Sequence, residues 1–122
     1  MVKRIFLLLA GTAVLLAFTG CQRALNVGAV NRCGHPIEIV GDSASELRQS
    51  GWVSMGEGQR WYVLSAAEST DRLYVWVRRP DAQQPMRFEI AVAELPRPPA
   101  DATSETRIDR EIVVEGDRCP AR

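Results

Sequence analysis

Apolar and polar residues alternate along much of the chain after position 24, and clusters of Gly and Pro interrupt this alternation roughly every 8–12 residues. A period of two is typical of β-strands, because successive side chains of a strand point to opposite faces. The clearest example is 86–92, where every even position is apolar and the odd positions are Arg87, Glu89 and Ala91. The pattern predicts strands throughout and no long helix.

Seven strands follow from this pattern, and the positions of Pro and Gly agree with them. All seven prolines fall at strand starts, in loops or in the tail, as expected for residues that cannot donate to a sheet. Gly28 is predicted to mark a β-bulge in the first strand. The predicted strands cover 25–30, 36–40, 52–54, 59–64, 73–77, 86–92 and 108–114. The chain is therefore predicted to be all-β, an immunoglobulin-like sandwich of about seven strands, with irregular stretches at Asp42–Ser50 and Leu95–Thr106.

The first 20 residues differ in character from the rest of the chain. Lys3 and Arg4 supply positive charge, Ile5–Phe18 is almost wholly apolar, and two small residues precede Cys21. This order is typical of an export signal that is removed from the mature protein. The apolar run is shorter than the about 20 residues that a membrane-spanning helix needs.

The segment that ends in Thr19-Gly20-Cys21 resembles the lipobox of bacterial lipoproteins. In that family a peptidase cleaves before the cysteine, after its thiol has been joined to diacylglycerol, and the new amino terminus is usually acylated. The resemblance implies lipidation of Cys21, although Phe18 stands where the family usually has Leu. An ordinary cleaved signal and an uncleaved anchor are the alternatives.

Lipidation would tether the domain closely to a membrane. Two or three acyl chains hold a protein to a bilayer, whereas a single chain is marginal. Gln22 follows the cysteine, in place of the Asp that retains some lipoproteins at the inner membrane, which favours the periplasmic side of the outer membrane if the host has two. The predicted organisation is a signal peptide at 1–20, lipidated Cys21 with a short tether over 21–30 that leads into the first strand, and one β-sandwich domain at 31–122.

Three cysteines are an odd number for an exported protein, and lipidation of Cys21 leaves the even pair Cys33 and Cys119. These two are predicted to form a disulfide that joins the start of the mature chain to its end. In the chain-entropy treatment such a loop contributes about 4–5 kcal/mol. A redox pair would more often have Cys-x-x-Cys spacing, and zinc binding by both thiols with His35 would require them to be reduced.

The chain has 15 basic and 15 acidic residues, and loss of Lys3 and Arg4 with the signal leaves a net charge of −2. Charges of both signs are interspersed, without the basic stripe of a nucleic-acid-binding protein or a polybasic run for anionic lipid. We therefore expect no nucleic-acid partner and a membrane link through the acyl chains alone.

Candidate catalytic residues are few. His35 is the only histidine, it lies in a turn sequence between Gly34 and Pro36, and no Gly-x-Ser-x-Gly motif accompanies it. It is interpreted as a surface turn residue.

Two acidic pairs could in principle serve acid–base chemistry or bind calcium, but neither has calcium-loop spacing. They are Asp109 with Glu111 and Asp42 with Glu46. The sequence predicts no catalytic residue, no metal site and no cofactor.

Aromatic residues are concentrated between positions 52 and 76, on strands predicted to be neighbours. Tyr74 and Trp76 lie opposite the aliphatic face of their own strand. If that face is exposed, the rings could stack on sugars or anchor a protein partner; if it is covered, they belong to the core. The candidate binding patch comprises Trp52, Trp61, Tyr74, Trp76 and Arg78.

Together these features predict a membrane-anchored lipoprotein of the bacterial cell envelope with a non-enzymatic binding or assembly-accessory role. Its partners would be the bilayer, through acylated Cys21, and an envelope protein or glycan. The alternative is a small envelope enzyme or inhibitor whose site lies in Asp42–Ser50 or Leu95–Thr106. An exposed aromatic surface would favour binding, and a pocket holding His35 with an acid and a hydroxyl would favour catalysis.

Overall fold

The computed structural model describes residues 23–47, 50–102 and 106–121. Predictions for residues 1–22, among them the signal segment and the lipidation of Cys21, lie outside these ranges. Seven strands occur in the described residues, as predicted: β1 Ala24–Asn31, β2 Ile37–Asp42, β3 Val53–Met55, β4 Arg60–Ala67, β5 Arg72–Arg78, β6 Met86–Ala91 and β7 Arg110–Val114. Two short 3₁₀ turns, Val92–Glu94 and Gly116–Arg118, follow β6 and β7.

The strands form two sheets, which confirms the all-β prediction. One sheet has the order β4-β1-β7 and the other the order β3-β2-β5-β6. The four-stranded sheet is antiparallel, but β1 pairs antiparallel with β4 and parallel with β7. As a result, β1 and β7 begin, and β4 ends, at the same end of the three-stranded sheet. None of the helical segments in the described ranges has the length and apolar character needed to cross a membrane.

Alternate residues of both sheets meet in one apolar core. The aliphatic face of β5 is fully buried there, and Ile37 and Ile39 of β2 lie beside it. Burial of a large aliphatic side chain contributes about 1.5–3 kcal/mol, so each of these residues adds substantially to stability. The three-stranded sheet contributes Val27, Ala29, Ile112 and Val114, all 0% exposed.

A register irregularity interrupts the pairing of β1 with β4 at Gly28, where a bulge was predicted. The register shifts between Val27 and Gly28, and Val63 of β4 is the extra residue. A Cβ at Gly28 would lie 2.8 Å from the carbonyl oxygen of Trp61, closer than real Cβ contacts allow. Glycine is therefore required here by the close approach of two backbones.

Cys33 and Cys119 form the predicted disulfide, with their Cα atoms 5.5 Å apart. Cys33 follows β1 and Cys119 follows β7. Because β1 and β7 are parallel neighbours, both cysteines lie at the same end of the three-stranded sheet. The bond ties the last strand of the domain to the first.

Asn31, at the end of β1, is a fully buried polar residue close to the disulfide. Its Nδ2 donates to the carbonyl oxygens of His35, Met55 and Gly56 at 2.9–3.2 Å. Its Oδ1 accepts from the Cys33 N–H at 2.9 Å. A buried amide is stable only when its groups are bonded in this way, so Asn31 joins β1 to the β1–β2 connection and to the turn after β3.

Candidate functional site

The five residues of the candidate aromatic patch do not share one surface. Trp61 belongs to β4 in the three-stranded sheet, whereas Tyr74, Trp76 and Arg78 belong to β5 in the other sheet. Trp76 is only 4% exposed, and Tyr74 and Trp52 are half-buried. Trp61 alone among these rings is largely exposed, at 56%.

Arg78 covers one ring of the four-stranded sheet. Its guanidinium carbon lies 3.9 Å from the centre of the Trp52 ring, within cation–π range. Its Nε donates to Glu38 Oε1 at 2.8 Å. Arg78 and Glu38 face each other in register on β5 and β2, so the sheet itself holds the cation over the indole.

A second set of charged side chains covers the rest of this face. Arg87 of β6 pairs in register with Trp76, and its guanidinium carbon lies 4.9 Å from the centre of the Tyr74 ring. Glu89 accepts from Arg72 at 3.1 Å and from Arg87 at 3.0 Å. The outer face of the four-stranded sheet therefore presents ion pairs, with its rings beneath or beside them.

A cleft of about 240 Å³ lies on the opposite side of the molecule, beside Trp61. Trp61, two prolines and an isoleucine line it, and an ion pair forms its polar floor. Trp61 pairs in register with the core residue Ala29, so its indole leaves the edge strand β4 on the other face from this floor. We call it the Trp61 cleft; its lining includes Gly28, Arg60, Trp61, Pro98, Ile108 and Glu111.

The floor of the Trp61 cleft is an ion pair that crosses β1. Arg60 Nε donates to Glu111 Oε2 at 3.1 Å, and the Glu111 side chain is only 6% exposed. Arg60 pairs in register with Val30 and Glu111 with Gly28, so both side chains project from the face turned away from the core. A carboxylate this buried is stable because the cation neutralises it, and the guanidinium keeps further N–H donors for a ligand.

A second cleft, of about 610 Å³, lies at the end of the three-stranded sheet where β1 and β7 begin. Arg107 Nε lies 3.3 Å from Asp109 Oδ1, and Arg110 donates to the carbonyl oxygen of Leu95 at 3.1 Å. We call it the arginine cleft; its charged lining residues are Arg23, Arg97, Arg107, Arg110, Glu68 and Asp109.

The other predicted candidates lie apart from any shared site. His35 is half-buried in the β1–β2 connection, with Nδ1 3.1 Å from the Pro36 carbonyl oxygen, and it lines neither cleft. Asp109 accepts from the Asn26 N–H at 2.9 Å as well as from Arg107. Asp109 and Glu111 therefore have different hydrogen-bond partners and do not form one site.

The other acidic pair comprises the last residue of β2, Asp42, and Glu46 in the connection that follows. Asp42 Oδ1 accepts from the Ala44 N–H at 3.3 Å, and Glu46 is exposed. Across the described ranges, no group of three or more His, Cys, Asp and Glu side chains is placed to hold a metal ion.

No protein-family model matches this chain, and no curated protein or solved structure matches it significantly. Its function is therefore inferred from its own residues.

Sequence reasoning named Trp61 but missed the groups that make a cleft around it. Glu111 was grouped with Asp109 by spacing, although its partner is Arg60, two strands away. The sequence signal that could have located this site is Gly28, because a strand glycine often marks a close approach of backbone or ligand. The arginine cleft had no local signal, since its cations come from 23, 97 and 107–110.

Proposed function

We propose that this protein is a lipid-anchored lipoprotein of the bacterial cell envelope with a non-enzymatic binding role. The anchor is supported by the basic, apolar and small residues that lead to Cys21. The domain begins close behind, because β1 starts at Ala24. Such a protein would lie against its membrane, on the periplasmic side of the outer membrane in a host that has two.

The observation that carries the binding role is the exposed Trp61 beside a cleft with a charged floor. Trp61 and Leu47 are the large apolar side chains that the described residues leave exposed, at 56% and 39%. Trp61 also lines the cleft that holds Pro98, Ile108 and the Arg60–Glu111 pair, whereas Leu47 lines neither cleft. An indole face next to hydrogen-bonding groups suits a sugar ring or a side chain of an envelope protein.

Photo-crosslinking in intact cells tests this role. A photoreactive amino acid at Pro99, on the rim of the Trp61 cleft, should give a crosslinked product, and the same residue at the exposed Ser54 of β3 should not. Trp61→Ala should remove most of the product, because truncation of a central aromatic anchor commonly costs tenfold or more in affinity. Leu47→Ala is the matched control and should leave the product unchanged.

The identity of the product separates the remaining possibilities. A product cleaved by glycosidases indicates a glycan, and one cleaved by proteases indicates a protein. Equal products in the Trp61→Ala and Leu47→Ala proteins would contradict the role of the cleft. A ligand that is chemically altered after capture would favour the alternative function, a small envelope enzyme with a site in Leu95–Thr106 or Asp42–Ser50.

Intact-mass analysis of the membrane-extracted protein tests the anchor separately. The mature chain should begin at Cys21 and carry acyl chains. A Cys21→Ala protein should no longer be processed at that site. A soluble mature chain without acyl groups would contradict the anchor and leave the cleft to be judged on its own.

The finer architecture is also a proposal, an immunoglobulin-like sandwich. Its support is the division of seven strands into sheets of three and four, as in immunoglobulin constant domains. The parallel pairing of β1 with β7 departs from the antiparallel sheets of that fold.

A further inference from the structure

The arginine cleft has a composition suited to phosphate. Four arginines and two carboxylates line it, a net charge of +2. Arg23 and Arg97 are exposed, and neither makes an ion pair within the described ranges. Arginine binds phosphate oxygens through paired N–H donors, so two unpaired guanidiniums on one concave surface can hold a phosphodiester.

The position of this cleft is set by strand direction. Arg23 immediately precedes β1, and its carbonyl oxygen accepts from the Glu68 N–H at 3.2 Å, which fixes it beside the end of β4. Arg107 and Arg110 lie there as well because β7 runs parallel to β1. The Asp109 N–H donates to the Asn26 carbonyl oxygen at 2.8 Å, which holds the two strand starts together.

The same end of the domain would lie nearest to the membrane. Arg23 is two positions after Cys21, and two residue steps of chain span at most about 7 Å. The surface potential of an anionic bilayer extends over a Debye length, about 8 Å at physiological ionic strength. An acylated Cys21 would therefore hold Arg23 within range of lipid headgroups.

We propose that the arginine cleft binds the phosphate headgroups of anionic phospholipids in the membrane that holds Cys21. This inference rests on the proposed anchor and adds to it a fixed orientation, with the start of β1 facing the bilayer and the disulfide end facing away. It also departs from the expectation that acyl chains alone link the protein to the membrane. The sequence shows no basic run because the fold assembles the cations from distant segments.

Arginine-selective modification of the acylated protein in nanodiscs tests the headgroup site. Phenylglyoxal labelling of Arg23 and Arg97, read by mass spectrometry, should be about fivefold slower in phosphatidylglycerol than in phosphatidylcholine nanodiscs, the effect expected for one arginine near an anionic surface. Arg32, which is exposed at the disulfide end, should be labelled equally in both. Equal labelling of Arg23 and Arg97 in the two nanodiscs would overturn the site.

A variant shows whether Arg23 and Arg97 share one phosphate site or are protected only because they lie near a negatively charged surface. Arg97→Gln should remove the protection of Arg23 in phosphatidylglycerol nanodiscs, because the two guanidiniums would share a headgroup. Arg32→Gln is the matched control and should preserve it. Unchanged protection of Arg23 in the Arg97→Gln protein would show that the two arginines do not share a headgroup, and it would overturn the proposal.

Separate measurements identify the source of the phosphate and test the lipid anchor. If millimolar inorganic phosphate protects Arg23 and Arg97 as well in phosphatidylcholine nanodiscs, the ligand is a soluble phosphate and the lipid proposal is wrong. Intact mass of the same sample reports the acyl chains on Cys21. An acylated protein without protection refutes the headgroup site alone, whereas a non-acylated protein refutes the anchor and this inference with it.

Discussion

The two sheets differ in how far they cover their tryptophans. On the four-stranded sheet Trp76 is 4% exposed among ion-paired side chains, and on the three-stranded side Trp61 is 56% exposed beside a cleft. Both residues come from strands rich in aromatic and aliphatic residues. The difference shows that the position of a strand in its sheet, edge for β4 and central for β5, matters more than aromatic content in deciding which ring is available to a ligand.

The outer faces of the two sheets are covered by different kinds of structure. Register neighbours cover the four-stranded sheet, and their side chains pair directly, as Glu38 does with Arg78. The three-stranded sheet is covered instead by the segment between β6 and β7, held by hydrogen bonds such as that from the Glu111 N–H to the Pro96 carbonyl oxygen at 2.9 Å. A crossing segment leaves gaps at its sides, and both clefts adjoin it.

Removal of the disulfide should have the largest effect and should fall mainly on the three-stranded sheet. The Cys33→Ala, Cys119→Ala double variant opens a loop of 86 positions, which lowers the free energy of unfolding by about 4–5 kcal/mol in the chain-entropy treatment. Because β7 is an edge strand tied to β1, its amide protons should lose hydrogen-exchange protection before those of β5. Equal loss in both strands would show that the sheets open as one unit.

The two tryptophans should differ strongly when each is truncated. Trp76→Ala should lower the free energy of unfolding by about 3–5 kcal/mol, since it empties a packed site. Trp61→Ala should change it by less than about 0.5 kcal/mol, because the ring is mostly in solvent. Urea unfolding measures both, and similar losses would mean that Trp61 is a packing residue and its cleft a by-product of the fold.

The strands and the disulfide could be predicted from sequence because each rests on local or countable information. Alternation at 86–92 specifies a strand without reference to any other segment, and an odd cysteine count with one thiol assigned leaves a single pair. Strand order and direction carry no such signal. The parallel pairing of β1 with β7 therefore went unpredicted, although it places Cys33 beside Cys119 and gathers the arginines at the other end.

The candidate site was predictable in part for the same reason. Trp61 could be named from its residue type, but its exposure accompanies the position of β4 at the edge of its sheet, which the sequence does not give. The Arg60–Glu111 pair joins residues 51 positions apart on strands that flank β1. Such a pair becomes visible only when the sheet is assembled.

Loss of an ion pair should lower the free energy of unfolding more on the three-stranded sheet than on the four-stranded sheet. This difference should be smaller than the difference between the two tryptophan variants. Glu111→Gln leaves Arg60 without its partner at a site where the carboxylate is 6% exposed and the guanidinium 37%. Full loss of a buried pair costs about 3–5 kcal/mol, and because Arg60 can turn to solvent we expect about 1–2 kcal/mol. Glu89→Gln is the matched control, since Glu89 is 42% exposed and surface pairs contribute about 0–1 kcal/mol.

The salt dependence of the unfolding free energy should distinguish the two ion pairs more clearly than the size of the losses at a single salt concentration. Exposed charges are screened within a few ångströms in about 1 M salt, whereas a covered pair is screened much less. The effect of Glu89→Gln should therefore disappear when unfolding is measured in sodium chloride near that concentration, and the effect of Glu111→Gln should persist. If both effects vanish together, the floor of the Trp61 cleft is as well solvated as the open sheet, and the cleft loses the low-dielectric, charge-paired character on which its binding role depends.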